Sequence, residues 1–213
     1  MKRKLNLPAI QHEFRQSKNQ YLVAAAVICL GILIGGISAF ILSEANVSAL
    51  SGYMNNFFSA FSLQTLSKNE VFRLSLLGNL KTILLLWICS FSVFLLPVSL
   101  LHIGARGFRI GFSIAFMLKQ YLFKGALFSA VSILPHNLIL VPALLVYTVF
   151  CMNFAVEMKR LRANNTLYRV KKQMYLKNLK TLLLIVAVIL VASLLEGYIV
   201  PALLRPLCSL FVS

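Results

Sequence analysis

The stretch Tyr21–Leu42 reads YLVAAAVICLGILIGGISAFIL and contains no charged residue. A helix of about twenty apolar residues crosses the hydrocarbon core of a bilayer, so this stretch predicts a transmembrane helix. Four further apolar stretches follow it along the chain. They are Thr82–Leu101, Gly107–Phe123, Gly125–Val156 and Leu179–Leu195, and the last continues past Glu196 to Leu204. The sequence therefore predicts an all-α integral membrane protein with about five transmembrane helices.

The composition agrees with a membrane protein and excludes other classes. Of the 213 residues, 60% are hydrophobic and 12% are charged. A soluble domain has about 45–50% apolar and about 25% charged residues. This difference excludes a soluble globular protein, a disordered chain and a nucleic-acid-binding domain of the usual kind. Because five spans leave only short loops, residues 1–213 are predicted to form a single polytopic membrane domain.

The net charge of +16 is interpreted as a signal of orientation. The segment 1–20, the loop after the second span and the loop 157–180 hold five, two and eight basic residues, and the opposite side holds six. Basic residues are enriched in cytoplasmic loops. The N-terminus and the loop 157–180 are therefore predicted to be cytoplasmic, and the C-terminus extracytoplasmic. The loop 157–180 is also basic enough to bind anionic membrane lipids.

Two prolines interrupt the fourth apolar stretch. A straight helix over Gly125–Val156 would be about 45 Å long, and Pro135 and Pro142 each remove a backbone donor from it. Two arrangements are open: a kinked helix, or a re-entrant hairpin that ends at Pro135-His136-Asn137. Polar residues at membrane depth are functional candidates by default. The alternative for His136 and Asn137 is that they hydrogen-bond to backbone groups that the prolines leave free.

Small residues recur at every fourth position in two of the spans. They are Gly31, Gly35 and Ala39 in the first span and Gly107, Gly111 and Ala115 in the third. Such spacing allows transmembrane helices to approach closely. We expect these residues to pack helices within one bundle, and self-association into a homo-oligomer is the second interpretation.

The segment 43–81 is predicted to be an outer loop that contains an amphipathic helix. Its apolar residues recur at helical spacing; they are Val47, Leu50, Met54, Phe57 and Phe61. This face, with Met54, Phe57 and Phe61 at its centre, is expected to bind a partner or the membrane surface. Packing on the protein's own bundle is the equal alternative. Glu196, at the outer end of the fifth span, is assigned either to the same partner face or to a carboxylate facing water.

A second helix is expected to start near the end of this outer segment. Ser67-Lys68-Asn69-Glu70 fits the capping box, in which a serine and a glutamate three residues later satisfy backbone donors at a helix start. The apolar run that follows leads directly into the second span.

A catalytic motif is absent from the sequence. His12-Glu13 lacks the second histidine of a zinc-protease helix, the chain contains no aspartate, and no phosphate-binding loop occurs. The four cysteines form no C-x-x-C pair and are interpreted as buried apolar residues. We therefore expect no catalytic residue, no metal and no cofactor, and interpret the chain as a non-enzyme.

Two stretches of the sequence resemble the stage II sporulation protein M family. They are Gly107-Phe108-Arg109-Ile110-Gly111-Phe112 and Leu134-Pro135-His136-Asn137-Leu138-Ile139-Leu140-Val141-Pro142-Ala143, with Gly125 between them. The five-span plan and the small residues of the first span are similar as well. Where the wider family often has Gly and Glu, this chain has Asn137 and Leu140, and in this respect it is more similar to the sporulation branch.

The resemblance implies a function that the residue pattern alone does not reach. It implies a sporulation protein needed for the mother-cell membrane to engulf the forespore. In that role the protein is a membrane scaffold for the peptidoglycan-degrading stage II sporulation proteins D and P. It would lie in the mother-cell membrane at the sporulation septum. From the residues themselves, the alternative is a small transporter or channel subunit whose site lies at the proline break.

Overall fold

The computed structural model describes residues 17–62, 68–164 and 168–204, and every regular element in these ranges is helical. A 3-10 turn, Val93–Leu95, precedes the fourth helix, and a π-helical turn, Leu195–Ile199, follows the sixth. After the π-helical turn the chain stays helical to Leu204. The helices are α1 Lys18–Ile41, α2 Glu44–Ser62, α3 Lys68–Cys89, α4 Leu96–Ser132, α5 Leu134–Ala163 and α6 Tyr168–Leu194.

Five of these segments are long and apolar enough to cross a membrane. They are Lys18–Ile41, Asn69–Cys89, Val93–Ser132, Leu134–Ala163 and Tyr168–Leu204. This confirms the prediction of an all-α protein with five candidate spans. The orientation of the spans stays a prediction, and most of the basic segment 1–20 lies outside the described residues.

The second span lies earlier in the chain than the hydropathy pattern predicted. The boundary Thr82–Leu101 is wrong, because α3 begins at Lys68 and ends at Cys89, and a turn at residues 90–92 follows it. Residues 68–81, assigned to the outer loop, therefore belong to α3. Polar residues in the first half of α3 caused the error, since they made that half look unlike a membrane helix. They include Arg73, Asn79 and Lys81.

Pro97 and the expected capping box mark the helix starts on either side of this corrected span. Pro97 lies in the first turn of α4, where a missing backbone N–H costs no helical hydrogen bond. The helix expected from the capping box begins at Lys68, and Ser67 itself lies outside the described residues.

Helix α4 extends beyond the predicted third span, Gly107–Phe123, and reverses direction near its end. Leu122 has φ 49° and ψ −124°, a conformation that non-glycine residues rarely adopt. A Cβ on Gly125 would meet the carbonyl of Met117, although residues eight apart in a straight helix are separated by about 12 Å. Residues 123–132 therefore run back along the preceding part of α4.

The predicted fourth stretch, Gly125–Val156, is divided between the end of α4 and α5. Ile133 separates the two helices. Pro135 lies in the first turn of α5, and Pro142 lies inside it. A proline at a helix start is well tolerated, whereas one inside a helix removes a backbone hydrogen bond.

Helices α1 and α4 run parallel and contact each other along the two stripes of small residues. A Cβ on Gly35 would meet the carbonyl of Phe108, and one on Gly111 would meet the carbonyl of Ile32. Gly31 lies in the same way against Gly104. Transmembrane helices associate by close van der Waals contact, so these glycines set the distance between α1 and α4. The remaining members of the stripes are also buried; they are Ala39, Gly107 and Ala115.

The bundle has two ends that are fixed by different contacts. At one end, called the basic end here, Ser17 accepts a hydrogen bond from the Asn153 amide at 2.7 Å, and Ser90 accepts one from Asn178 at 3.2 Å. The opposite end contains the end of α1 and the reversal at Leu122. Between them lies a core formed by five helices, whose buried side chains include Ile28, Leu86, Ile103, Leu140, Leu144, Tyr147 and Ile189.

Helix α2 attaches to the opposite end through aromatic side chains. Phe58 is 1% exposed, and its ring centroid lies 5.2 Å from that of Phe128 and 5.5 Å from that of Tyr121. Phe57 and Met54 pack against the same cluster, so these two residues of the expected partner face contact the protein's own bundle. The side chain of Phe61 lies outside the described part of the chain.

Candidate functional site: a polar cavity in the bundle

A polar cavity of about 300 Å³ lies among the helices. Its walls are formed by α3, α4, the start of α5 and the π-helical turn after α6. Four of its lining residues are ionisable: Arg106, Arg109, His136 and Glu196. Neutral polar groups complete the lining; they are Ser75, Asn79, Thr82, Ser113 and Asn137.

The residues that α3 and α4 contribute to the cavity lie far from the ends of these two helices. Arg106 is ten residues from the first residue of α4, which corresponds to about 15 Å along the helix axis. Asn79 is ten residues from the last residue of α3, again about 15 Å. Both helices are candidate spans, so the polar groups lie at the depth of the hydrocarbon core. Ionisable residues at this depth are costly and mark functional sites by default.

Three hydrogen bonds connect the cation and the carboxylate of the cavity. Arg106 Nη1 donates to Asn79 Oδ1 at 3.0 Å. The Asn79 amide donates to Ser75 Oγ at 3.4 Å, and Ser75 Oγ donates to Glu196 Oε2 at 2.6 Å. Arg106 on α4 and Glu196 after α6 are thus linked through two residues of α3. Asn79 is buried and uses its amide as donor and acceptor, so it orients both neighbours.

His136 and Asn137 form the wall at the proline break. His136 Nε2 lies 3.8 Å from Glu196 Oε2 and 3.0 Å from the amide nitrogen of Asn137. The same amide donates to the carbonyl of Ile133 at 2.9 Å. Asn137 therefore bonds to a backbone carbonyl just before Pro135, and His136 faces the carboxylate of another span.

Glu196 reaches the cavity from a π-helical turn. A π-turn adds one residue to a helical turn, changes which side chains face inward, and is frequent at functional sites. The turn also lies very close to α3, because a Cβ on Gly197 would meet Phe72, and Tyr198 Oη donates to Asn69 Oδ1 at 2.9 Å. The close contact between Gly197 and α3 holds Glu196 next to Ser75. Glu196 is a cavity residue rather than a member of a free outer face.

Arg109 lies at the rim of the cavity. Its side chain is exposed on the outer surface of the bundle, as is Ser113 one turn further along α4. Leu74, on α3 across the opening, is 71% exposed. The cavity therefore opens sideways between α3 and α4, toward the surroundings of the bundle.

The chemistry of the cavity favours binding of a polar group. Within the described ranges, no three His, Cys, Asp or Glu residues are placed to hold a metal ion. Arg106 Nε is buried and has no hydrogen-bond partner among the described residues. The site offers guanidinium donors, one carboxylate and one imidazole, a set that orients a charged ligand at membrane depth.

Sequence reasoning identified part of this site and missed the rest. It selected His136, Asn137 and Glu196, but as two separate places, and the structure brings them together. It missed Asn79 and Arg106, because residues 68–81 were counted with the outer segment and the arginine was counted as an orientation signal. The available signal was the spacing of Arg106 and Arg109, which are three apart and share one face of a helix.

Comparisons with known proteins identify a family. A family model described as stage II sporulation protein M matches residues 24–201 of the chain. This range contains every residue that lines the cavity and most of each of the five candidate spans. None of the curated proteins and none of the solved structures matches the chain.

Proposed function

Because the chain belongs to the stage II sporulation protein M family, we propose that it is required for engulfment of the forespore by the mother cell. Family membership and five candidate spans identify a multi-pass sporulation membrane protein. The proposed role is that of a membrane scaffold, located in the mother-cell membrane at the septum. It holds the peptidoglycan-degrading stage II sporulation proteins D and P, and it does not itself cut the wall.

The observation that carries the scaffold role is the attachment of one face of α2 to the bundle through aromatic side chains. If the basic end is cytoplasmic, as the positive-inside rule predicts, α2 lies on the extracytoplasmic side of the membrane, where the peptidoglycan is. Phe58 fixes one face of α2 to Tyr121 and Phe128, and Tyr121 Oη donates to Asn55 at 3.2 Å. The other face presents Tyr53, which is 75% exposed. Exposed tyrosines on a rigid element are typical anchors of protein interfaces.

A co-purification experiment tests this role. Tyr53→Ala is expected to lower recovery of stage II sporulation proteins D and P from solubilised membranes by about tenfold, the effect of one lost interface anchor. Tyr168→Ala is the matched control, because Tyr168 is 79% exposed and begins α6 at the basic end. Equal recovery with the Tyr53 and Tyr168 variants would contradict docking on α2.

The cavity favours a second candidate function, a small transporter or channel subunit. Transporters bind solutes near the middle of the membrane, where helices are interrupted. Here Ile133 interrupts the helices beside His136, and four spans contribute polar groups to one cavity. Liposomes containing the purified protein would show flux of potassium, chloride or phosphate, and His136→Ala would abolish it. Absence of flux for the unsubstituted protein would exclude these ions as substrates.

A further inference from the structure

The cavity holds more positive than negative charge. Arg106 and Arg109 line it together with a single carboxylate, Glu196. In the part of the chain that the structure describes, neither guanidinium forms an ion pair, and the one contact of Glu196 with a basic side chain is to His136. A cation at membrane depth without a counter-charge is costly, so the arrangement lacks an anion.

The free donors point to the kind of anion. Arg106 uses Nη1 for Asn79, which leaves Nε without a partner among the described residues although it is buried. Arg109 lies one helical turn away on the same face and offers a second guanidinium at the rim. Planar guanidinium forks bind oxyanions in a bidentate manner, and the several strong acceptor oxygens and the high charge of a phosphate group suit two guanidinium groups at once.

From this geometry we propose that the cavity binds a phosphate group through Arg106 and Arg109. Arg106 is the inner ligand and is held in position by Asn79, and Arg109 is the outer ligand at the lateral opening. Glu196 lies at the other side of the cavity, where Ser75 and His136 engage it. The cavity volume of about 300 Å³ exceeds that of one phosphate ion, so the phosphate is either free or the headgroup of a lipid that enters between α3 and α4. This binding site is independent of the scaffold role, and it lies in the same cavity to which the transport alternative assigns its solute.

The test uses the full-length protein in a detergent that carries no phosphate group, because the phosphate of phosphatidylcholine could itself occupy the cavity. Inorganic phosphate is titrated calorimetrically to detect a free ion, and phosphatidylglycerol added to the micelles is measured as lipid retained in native mass spectra. Arg109→Gln is expected to weaken binding of whichever probe binds by about tenfold or more, the value of a lost charged hydrogen bond. Arg109 is exposed, so this variant keeps the packed core intact.

Lys81→Gln is the matched control. Lys81 is an exposed cation on α3, close in depth to Arg106, but it does not line the cavity. The Lys81→Gln substitution is expected to change the affinity for the probe by less than about twofold, because an exposed surface charge contributes little. As a second measurement, the probe that binds raises the thermal unfolding temperature of the unsubstituted protein and of Lys81→Gln, but not that of Arg109→Gln.

The outcomes separate the sources of the phosphate group. Saturable binding of inorganic phosphate supports a free ion, and retention of phosphatidylglycerol alone supports a lipid headgroup. The proposal is overturned if neither probe binds the unsubstituted protein. It is also overturned if Lys81→Gln and Arg109→Gln weaken binding equally, because the attraction would then be general rather than local.

Discussion

Arg106 and Glu196 are connected by three hydrogen bonds through Asn79 and Ser75 and not by an ion pair. The chain of bonds crosses from α4 to α3 and on to the π-helical turn after α6. It therefore ties three candidate spans together at membrane depth. It also separates the positive side of the cavity from the negative side, which leaves Arg106 Nε free of any partner among the described residues.

The first prediction concerns Asn79, the centre of this chain of bonds. Asn79→Ala removes the acceptor of Arg106 and the donor to Ser75, and it leaves a buried charged donor unpaired. Such a loss costs about 1–3 kcal/mol. We expect the free energy of unfolding, measured with denaturant in detergent, to fall by that amount.

Asn56→Ala serves as the control for this measurement, because Asn56 is exposed on α2. It is expected to change the free energy of unfolding by less than about 0.5 kcal/mol. If Asn79→Ala has an effect as small as that of Asn56→Ala, the hydrogen-bond chain does not stabilise the bundle.

The second prediction concerns the contact between α1 and α4. Gly35→Ala places a Cβ against the carbonyl of Phe108, so the two helices must separate. The neighbouring Gly36 has only the Cβ of Ala115 nearby, at 3.9 Å, which is an ordinary contact. We expect Gly35→Ala to lower the thermal unfolding temperature, at a cost of about 1–3 kcal/mol for overpacking.

Gly36→Ala should leave the unfolding temperature unchanged or raise it slightly, because alanine is the better helix former. The two substitutions add the same methyl group to adjacent residues. Equal unfolding temperatures for the two variants would therefore refute a tight interface at Gly35.

The third prediction concerns the electrostatics of the cavity. Glu196→Gln removes the one carboxylate that faces the cavity and keeps a side chain that accepts from Ser75. Because a like charge several ångströms from a bound anion costs about 1 kcal/mol, phosphate binding should strengthen by about fivefold. Calorimetric titration of the protein in a detergent without phosphate groups measures this change.

Glu44→Gln is the control for this experiment, since Glu44 is exposed at the start of α2, outside the cavity. The phosphate affinity of the Glu44→Gln variant should equal that of the unsubstituted protein. Weaker phosphate binding after Glu196→Gln would contradict the prediction, because it would show that Glu196 supports binding of the ligand and does not repel it.

The sequence predicted the elements that depend on local hydropathy and missed those that depend on packing. The uncharged Tyr21–Leu42 stretch and the two stripes of small residues are recognisable because each lies on one helix. The start of the second span was misplaced because Arg73, Asn79 and Lys81 look polar one by one. Asn79 is buried in the bundle, and its acceptor oxygen meets Arg106, which lies 27 residues away in the sequence.

The reversal at Leu122 and the π-helical turn at Glu196 have no recognisable sequence signal. Leu122 is a leucine with positive φ, which local propensity disfavours, and the reversal brings Gly125 against Met117. The π-helical turn depends on the close approach of Gly197 to Phe72. Both features involve contacts between segments. The π-helical turn places Glu196 in the cavity, and the reversal at Leu122 lies in the surface that carries α2.

The central claim, a role in engulfment, is tested most directly by deleting the gene in its own host and imaging sporulating cells with a membrane dye. We predict that cells without the protein stop at a flat septum, and that a copy encoding this chain restores the curved, engulfing membrane. Normal engulfment in the deletion strain would contradict the account.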